Sequence, residues 1–201
     1  MILSKKNFNI NPVLLTSLVF AFFPISFIFG NLITNINLIL FCALGIFYLR
    51  SKILMTKFDL SIKIIFLLFF MIFFSTCLSF IKSLYFEGYE YENLIRLIKS
   101  ITFFRYFLML LIVYLLCEFD FLNFKYFFLS AAFITILISL DIIYQYFFGF
   151  NIIGLKSHIN YNSGFFGDEL IAGGFILKFA FFSIIFISFS FKNNLRFILI
   201  V

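Results

Sequence analysis

Tryptophan is absent from this chain, histidine occurs once, and proline only twice. Charge is scarce as well: 12% of the 201 residues are Asp, Glu, Lys or Arg, against about 25% in a soluble domain. Hydrophobic residues make up 64%. A soluble fold of this length must cover its surface with polar side chains, and this chain has too few of them. Lipid as the solvent removes that requirement. The three cysteines, Cys42, Cys77 and Cys117, stand alone in or beside apolar runs, with no CxxC pair. They are expected to be small buried hydrophobes, and neither a metal nor another cofactor is implied. The net charge of +6 is spread singly between apolar runs. Nucleic acid requires basic residues gathered on one solvated face, so it is excluded as a partner. No small-x-small cleavage site follows Lys5 and Lys6, so the first apolar run is expected to be an uncleaved span.

What is present in quantity is phenylalanine, 38 residues of it. An AT-rich coding sequence also yields Phe, Ile, Asn and Lys without Trp, so the Phe runs carry no functional weight. A helix needs about 20 apolar residues to cross about 30 Å of hydrocarbon. On that rule the expected fold is all-α, a polytopic transmembrane bundle forming a single domain over 1–201. Six complete spans are expected, at about 13–30, 33–49, 60–81, 101–117, 127–148 and 170–190. Residues 196–201 begin an apolar run that reads as the start of a seventh. The first two spans are expected to form a tight hairpin around Asn31. Pro24, having no N–H to give to residue 20, is expected to kink the first.

With the N-terminus cytoplasmic, Lys5, Lys6, Arg50, Lys52, Lys57, Lys63, Lys125, Lys192 and Arg196 fall on the inner side. The outer side receives Lys82, Arg96, Lys99 and Lys156. This orientation follows the positive-inside bias. Segments 82–100 and 149–169 then face outward. Arg96 and Lys99, three apart among Leu94, Ile95, Leu97 and Ile98, suit a short interfacial helix. Such a helix would anchor the chain in membrane lipid or bind an anionic lipid-linked substrate.

Charges inside hydrocarbon cost about 2.5–3.5 kcal/mol on insertion scales, so each should face protein or water. Three qualify. Arg105 is expected near the outer end of the fourth span, able to snorkel. Asp141 lies within the fifth and Lys178 within the sixth. Lys178 is expected to pair with Asp141 or with a group beyond Val201. Asp141, Tyr144 and Gln145 fall at i, i+3 and i+4 and should share one helix face. That face reads either as a polar seam between helices or as a substrate lining. Asp168 and Glu169 stand before the sixth span, where negative charge favours a helix N-terminus. His158, the single histidine, reads as a loop residue.

The stretch Asp141-Ile-Ile-Tyr-Gln-Tyr-Phe-Phe-Gly149, then Asn151…Gly154, then Ser163-Gly-Phe-Phe-Gly-Asp-Glu-Leu-Ile-Ala-Gly173 resembles the O-antigen ligase and polymerase superfamily. Phe103-Phe104-Arg105-Tyr106-Phe107 is similar to the Arg-bearing fourth-span region of some relatives. Where many relatives carry an arginine shortly before Ser-Gly, this chain has Asn160-Tyr161-Asn162. The resemblance implies transfer or polymerisation of glycans on undecaprenyl pyrophosphate, with a lipid or glycan acceptor, at the outer face of the bacterial inner membrane. It also implies a longer protein, with this chain as its N-terminal portion. Under it, Arg105, Arg96 and Lys99 are candidate phosphate contacts. Asp141, Tyr144, Gln145, Asp168 and Glu169 line or organise the substrate cavity, and no residue is assigned as catalytic base. Two other readings stand beside it: a small-solute or anion transporter using Asp141 and Lys178 as path residues, and a non-catalytic or truncated membrane component.

Overall fold

The computed structural model describes residues 11–50, 52–85, 90–156, 161–167 and 171–190. Its helices are α1 (Pro12–Ala21), α2 (Phe23–Ile28), α3 (Asn31–Leu49), α4 (Lys52–Met55), α5 (Leu60–Tyr85), α6 (Glu90–Glu118), α7 (Phe124–Phe148) and α8 (Ala172–Ser190). A single 3-10 turn occupies Gly164–Phe166. The all-α expectation holds for the described residues.

Among the described residues, four helices are long and apolar enough to cross a membrane: Asn31–Leu49, Leu60–Leu84, Tyr91–Glu118 and Phe124–Phe148. The chain is thus a multi-pass α-helical membrane protein, but the expected six complete spans and start of a seventh must be corrected to four. The first expected span fails because the helix is interrupted. α1 stops at Ala21, Phe22 caps it, and Pro24 opens the short α2. Even taken together, Pro12–Ile28 reaches only about 25 Å at 1.5 Å per residue. That is less than the roughly 30 Å hydrocarbon layer. Of the sixth, the apolar stretch found among the described residues is Ala172–Phe186, shorter than a span. Residues 196–201 lie outside the described residues.

The chain divides into two compact units, one of residues 1–41 with 121–201, the other of residues 42–120. In the second, α5 and α6 pack as an antiparallel pair. Phe69 stacks on Phe103 with centroids 5.0 Å apart, and the Thr76 and Ser100 hydroxyls meet at 2.8 Å. At the other end of the pair, Tyr114 donates to Asp59 at 3.1 Å. Gly45 of α3 allows close approach of α6, since a Cβ there would overlap Ile112 Cγ2. Along α5, Leu60, Leu67, Leu68, Met71 and Leu84 are more than half exposed. A row of large apolar side chains in that state is stable only against lipid or another apolar surface.

α6 corrects a second expectation. The predicted interfacial helix carrying Arg96 and Lys99 is no separate element, because the helix runs unbroken from Glu90 to Glu118. No Pro or Gly occurs in that stretch to stop it.

In the first unit, α7 is the central helix. Thr16 and Ser17 of α1 are fully buried. Thr16 donates to the Phe121 carbonyl, and Ser17 accepts from the Asn123 N–H at 2.8 Å. These bonds tie α1 to the entry of α7, whose first turn Asn123 caps through Lys125 N–H. A phenylalanine cluster fills the space above. Phe20 lies 4.8 Å from Phe127, Phe127 lies 5.1 Å from Phe182 on α8, and Phe41 of α3 packs on Phe20. The turn between α2 and α3 is tight, as expected. Gly30 takes φ +93°, which a glycine tolerates, and the Thr34 hydroxyl bonds back to the Ser26 and Gly30 carbonyls. Of the cysteines, Cys42 is buried, Cys77 and Cys117 are half-buried, and all are free thiols.

Candidate functional site

α7 contains neither Gly nor Pro between Phe124 and Phe148, then meets Gly149. Gly149 takes the left-handed conformation (φ +76°), and its N–H returns to the Gln145 carbonyl at 2.9 Å. This ends the helix in the manner glycine favours. The chain then doubles back in a compact loop, with Phe150 and Lys156 bridged antiparallel. Asn151 N–H bonds to the Leu155 carbonyl at 2.9 Å, and Gly154 N–H bonds to the Asn151 carbonyl at 2.9 Å.

Four residues lock this loop to the end of α7. Asp141 is fully buried, and its Oδ1 accepts from the Ile152 N–H at 2.9 Å. One turn later Gln145, also buried, accepts from the Gly164 N–H at 2.8 Å. The Gln145 amide donates a longer bond, 3.4 Å, to the Leu155 carbonyl. Asn151 closes the set from the loop side. Its amide donates to the Gly164 carbonyl at 2.8 Å. Its Oδ1 accepts from Ile153 N–H at 3.1 Å and Leu155 N–H at 2.7 Å. Gly164 sits at φ +57°, where an added Cβ would stand 3.1 Å from Asp141 Oδ2 and 3.1 Å from Ile142 Cγ1.

The result is a knot of buried polar side chains that satisfies the backbone of an irregular segment beside apolar helices. Every unpaired backbone group there would otherwise carry its full desolvation cost. One atom is exceptional. Asp141 Oδ2 is buried and has no hydrogen-bond partner among the described residues.

The predicted substrate face divides. Asp141 and Gln145 turn into the knot, whereas Tyr144 is half-buried. Its ring stacks on Phe148 at 4.4 Å and meets Phe150 edge-on at 6.0 Å. The helical spacing holds, but i+3 lies far enough round the helix to leave the buried face. The polar-seam expectation is also altered, because Asp141 and Gln145 bond to loop backbone, not to a neighbouring helix. Asp141 does not pair with Lys178. Arg96 pairs with Glu92, 3.9 Å apart and largely exposed. Lys178 instead lines a cavity beside α8.

Arg96, Lys99 and Arg105 all belong to the 42–120 unit and are exposed. Arg105 stands midway along Glu90–Glu118, not near the end of a span as expected from the shorter 101–117 assignment. Its guanidinium lies over the Tyr106 ring, 4.8 Å from the centroid, and donates to the Tyr106 hydroxyl at 3.0 Å. Asp168, Glu169 and His158 lie outside the described residues.

Asn151 is the residue whose importance the sequence reading missed. The available signal was turn chemistry. An Asn shortly after a helix-ending Gly, with another Gly three positions on, is a pattern in which the side chain captures nearby N–H groups. Among the described residues no group of His, Cys, Asp and Glu could hold a metal ion. No protein-family model, curated protein or solved structure matches this chain.

Proposed function

We propose that this membrane protein is a glycan ligase or polymerase that acts on saccharides linked to undecaprenyl pyrophosphate at the outer face of a bacterial inner membrane. One observation carries the reading. Five of the residues that give the sequence its resemblance to that superfamily, Asp141, Gln145, Asn151, Gly154 and Gly164, interlock in the knot, while Tyr144 of the same motif packs outside it on Phe148 and Phe150. A motif spread over more than twenty positions thereby has a common physical purpose, which is to hold an irregular loop at the end of a membrane helix.

In this reading an acceptor hydroxyl oxygen attacks the anomeric carbon of the donor. The bond from that carbon to the pyrophosphate oxygen breaks, and the hydroxyl proton leaves to a base. The needs are a cationic contact for the leaving group and a rigid outer surface for the sugars. Arg96 and Lys99, in the first turns of the Tyr91–Glu118 span and exposed, suit phosphates at headgroup depth. Arg105, midway along that helix, suits a more deeply inserted pyrophosphate. With the four long helices as spans, the positive-inside bias keeps Arg50, Lys52, Lys57 and Lys125 cytoplasmic in this proposal. It so puts the start of Asn31–Leu49 and the segment after Phe148 on the outer side, in place of the cytoplasmic N-terminus expected from six spans.

Expression of the complete reading frame in a bacterial strain lacking its own ligase or polymerase tests the reading. Restored laddering or acceptor modification of surface glycan on gels is expected. Unchanged glycan, with the protein present in the membrane, would sink the enzyme reading. The unpartnered Oδ2 of Asp141 favours one rival, a solute transporter with a carboxylate on its path. Solute flux in proteoliposomes that Asp141→Asn abolishes, without any glycan transfer, would establish that rival.

A further inference from the structure

A cavity of about 860 Å³ lies in the unit formed by residues 1–41 and 121–201, beside α8. Its walls include Phe27, Phe166, Phe175, Phe179 and Phe182, and among the described residues the one charged residue lining it is Lys178. Among the described residues the lining contains no Asp or Glu, and Lys178 has no ion pair. An apolar chamber of this size is in the range that holds an organic ligand. Its one cation asks for an anion, since an unpaired charge against hydrocarbon is costly.

We propose that this cavity binds an anionic glycerophospholipid of the surrounding bilayer, with Lys178 at its phosphate and the phenylalanines around one acyl chain. The depth agrees. Lys178 is six residues from the start of α8, about 9 Å along the axis at 1.5 Å per residue. From there a lysine side chain reaches toward headgroup level while its methylenes stay in apolar surroundings. The mouth agrees as well. Gly174 lines the cavity, and a Cβ built on it meets nothing within 4 Å, so that wall is open to a chain. Asn31 and the first turn of α3 lie at the same cavity. The free N–H groups of a helix start add positive potential there. The proposal is independent of the glycan-transfer reading.

The test uses the full chain, extracted from membranes containing phosphatidylglycerol and phosphatidylethanolamine and analysed by native mass spectrometry. The wild type is expected to retain phosphatidylglycerol, one lipid per chain, in preference to phosphatidylethanolamine. Lys178→Met keeps the length of the side chain and should lower that preference at least fivefold, whereas Lys178→Arg should preserve it. Gly174→Leu, which introduces no strain in a helix and fills the open mouth, should lower retention of both lipids. Lys156→Met serves as a control and should change nothing. Equal anionic preference in wild type and Lys178→Met, equal loss in the Lys156→Met control, or retention of a polyprenyl lipid in place of a glycerophospholipid would each overturn the proposal. If Lys178→Met does not accumulate, the Lys178→Arg and Gly174→Leu pair decides: unchanged lipid retention in Gly174→Leu overturns it.

Discussion

Gln145 Oε1 accepts the backbone N–H of Gly164 at 2.8 Å, so a side chain in the last turns of α7 holds a residue 19 positions further along the chain. The bond is buried at both ends. It joins a regular helix to a segment whose described residues hold one isolated bridge and one 3-10 turn.

Removing that acceptor should release the segment. Gln145→Ala leaves the Gly164 N–H buried and unpaired, a loss of about 1–3 kcal/mol. Thermal unfolding in detergent should show a lower midpoint. Limited proteolysis should cut within 150–167 faster than in the wild type, with the helices remaining protected. Unchanged cleavage in that loop would mean that the Gln145 bond does not hold it.

Two glycines should differ in their tolerance of alanine. Gly149 and Gly164 both have positive φ, but a Cβ on Gly149 meets nothing within 4 Å. Gly149→Ala should therefore cost about 1 kcal/mol, the backbone penalty alone. Gly164→Ala carries that penalty and also crowds Asp141 Oδ2 and Ile142 Cγ1, each 3.1 Å away. Its unfolding midpoint should fall further than that of Gly149→Ala. The reverse order would show that the contact with Asp141 is not tight.

Asn151 should be among the most sensitive polar positions outside the long helices. Asn151→Ala removes one donor and one acceptor that together serve Gly164, Ile153 and Leu155. A cost of about 1–3 kcal/mol is expected, chiefly from the Gly164 carbonyl, the buried group left unpaired. Asn151→Asp keeps the acceptor for the two N–H groups but sets a second carboxylate oxygen against the Gly164 carbonyl. It should destabilise the protein too, and hydrogen exchange at Ile153 and Leu155 separates the two variants: those amides should stay protected in Asn151→Asp and not in Asn151→Ala.

Within the other unit, Gly45 and Ile112 are expected to be energetically coupled. A methyl group at Gly45 would overlap the branched Ile112 side chain, which is buried. Gly45→Ala should cost about 1–3 kcal/mol by overpacking. Combined with Ile112→Ala it should cost less than the two single changes added together, as a double-mutant cycle by thermal unfolding would register. Simple additivity would show that the helices separate without regard to this contact.

How much of this was legible beforehand depends on range. Hydrophobic composition and run length were enough for an all-α membrane protein, and they located the four long helices to within a few residues at most ends. α6 was the exception. Reading Arg96 and Lys99 as interfacial underestimated a helix that, with no Gly or Pro between Glu90 and Glu118, had no reason to stop. The spacing gave Asp141, Tyr144 and Gln145 one face; Asp141 and Gln145 turn into the knot, while Tyr144, half-buried, packs on Phe148 and Phe150.

Lateral partners, and the reach of the interrupted first helix, were beyond the sequence. Pro24 predicted a kink, but whether the interrupted α1 and α2 together reach across a bilayer depends on the full geometry around Phe22. Asp141 and Lys178 looked like natural partners because both are costly charges in neighbouring apolar segments. The folded chain gives Asp141 a backbone N–H from Ile152 and leaves Lys178 facing a phenylalanine-lined cavity. Apolar periodicity reports only that a residue avoids water. Which group meets a buried carboxylate is settled by the return path of a loop, and here that path is determined by Gly149, Asn151 and Gly164 acting together in space.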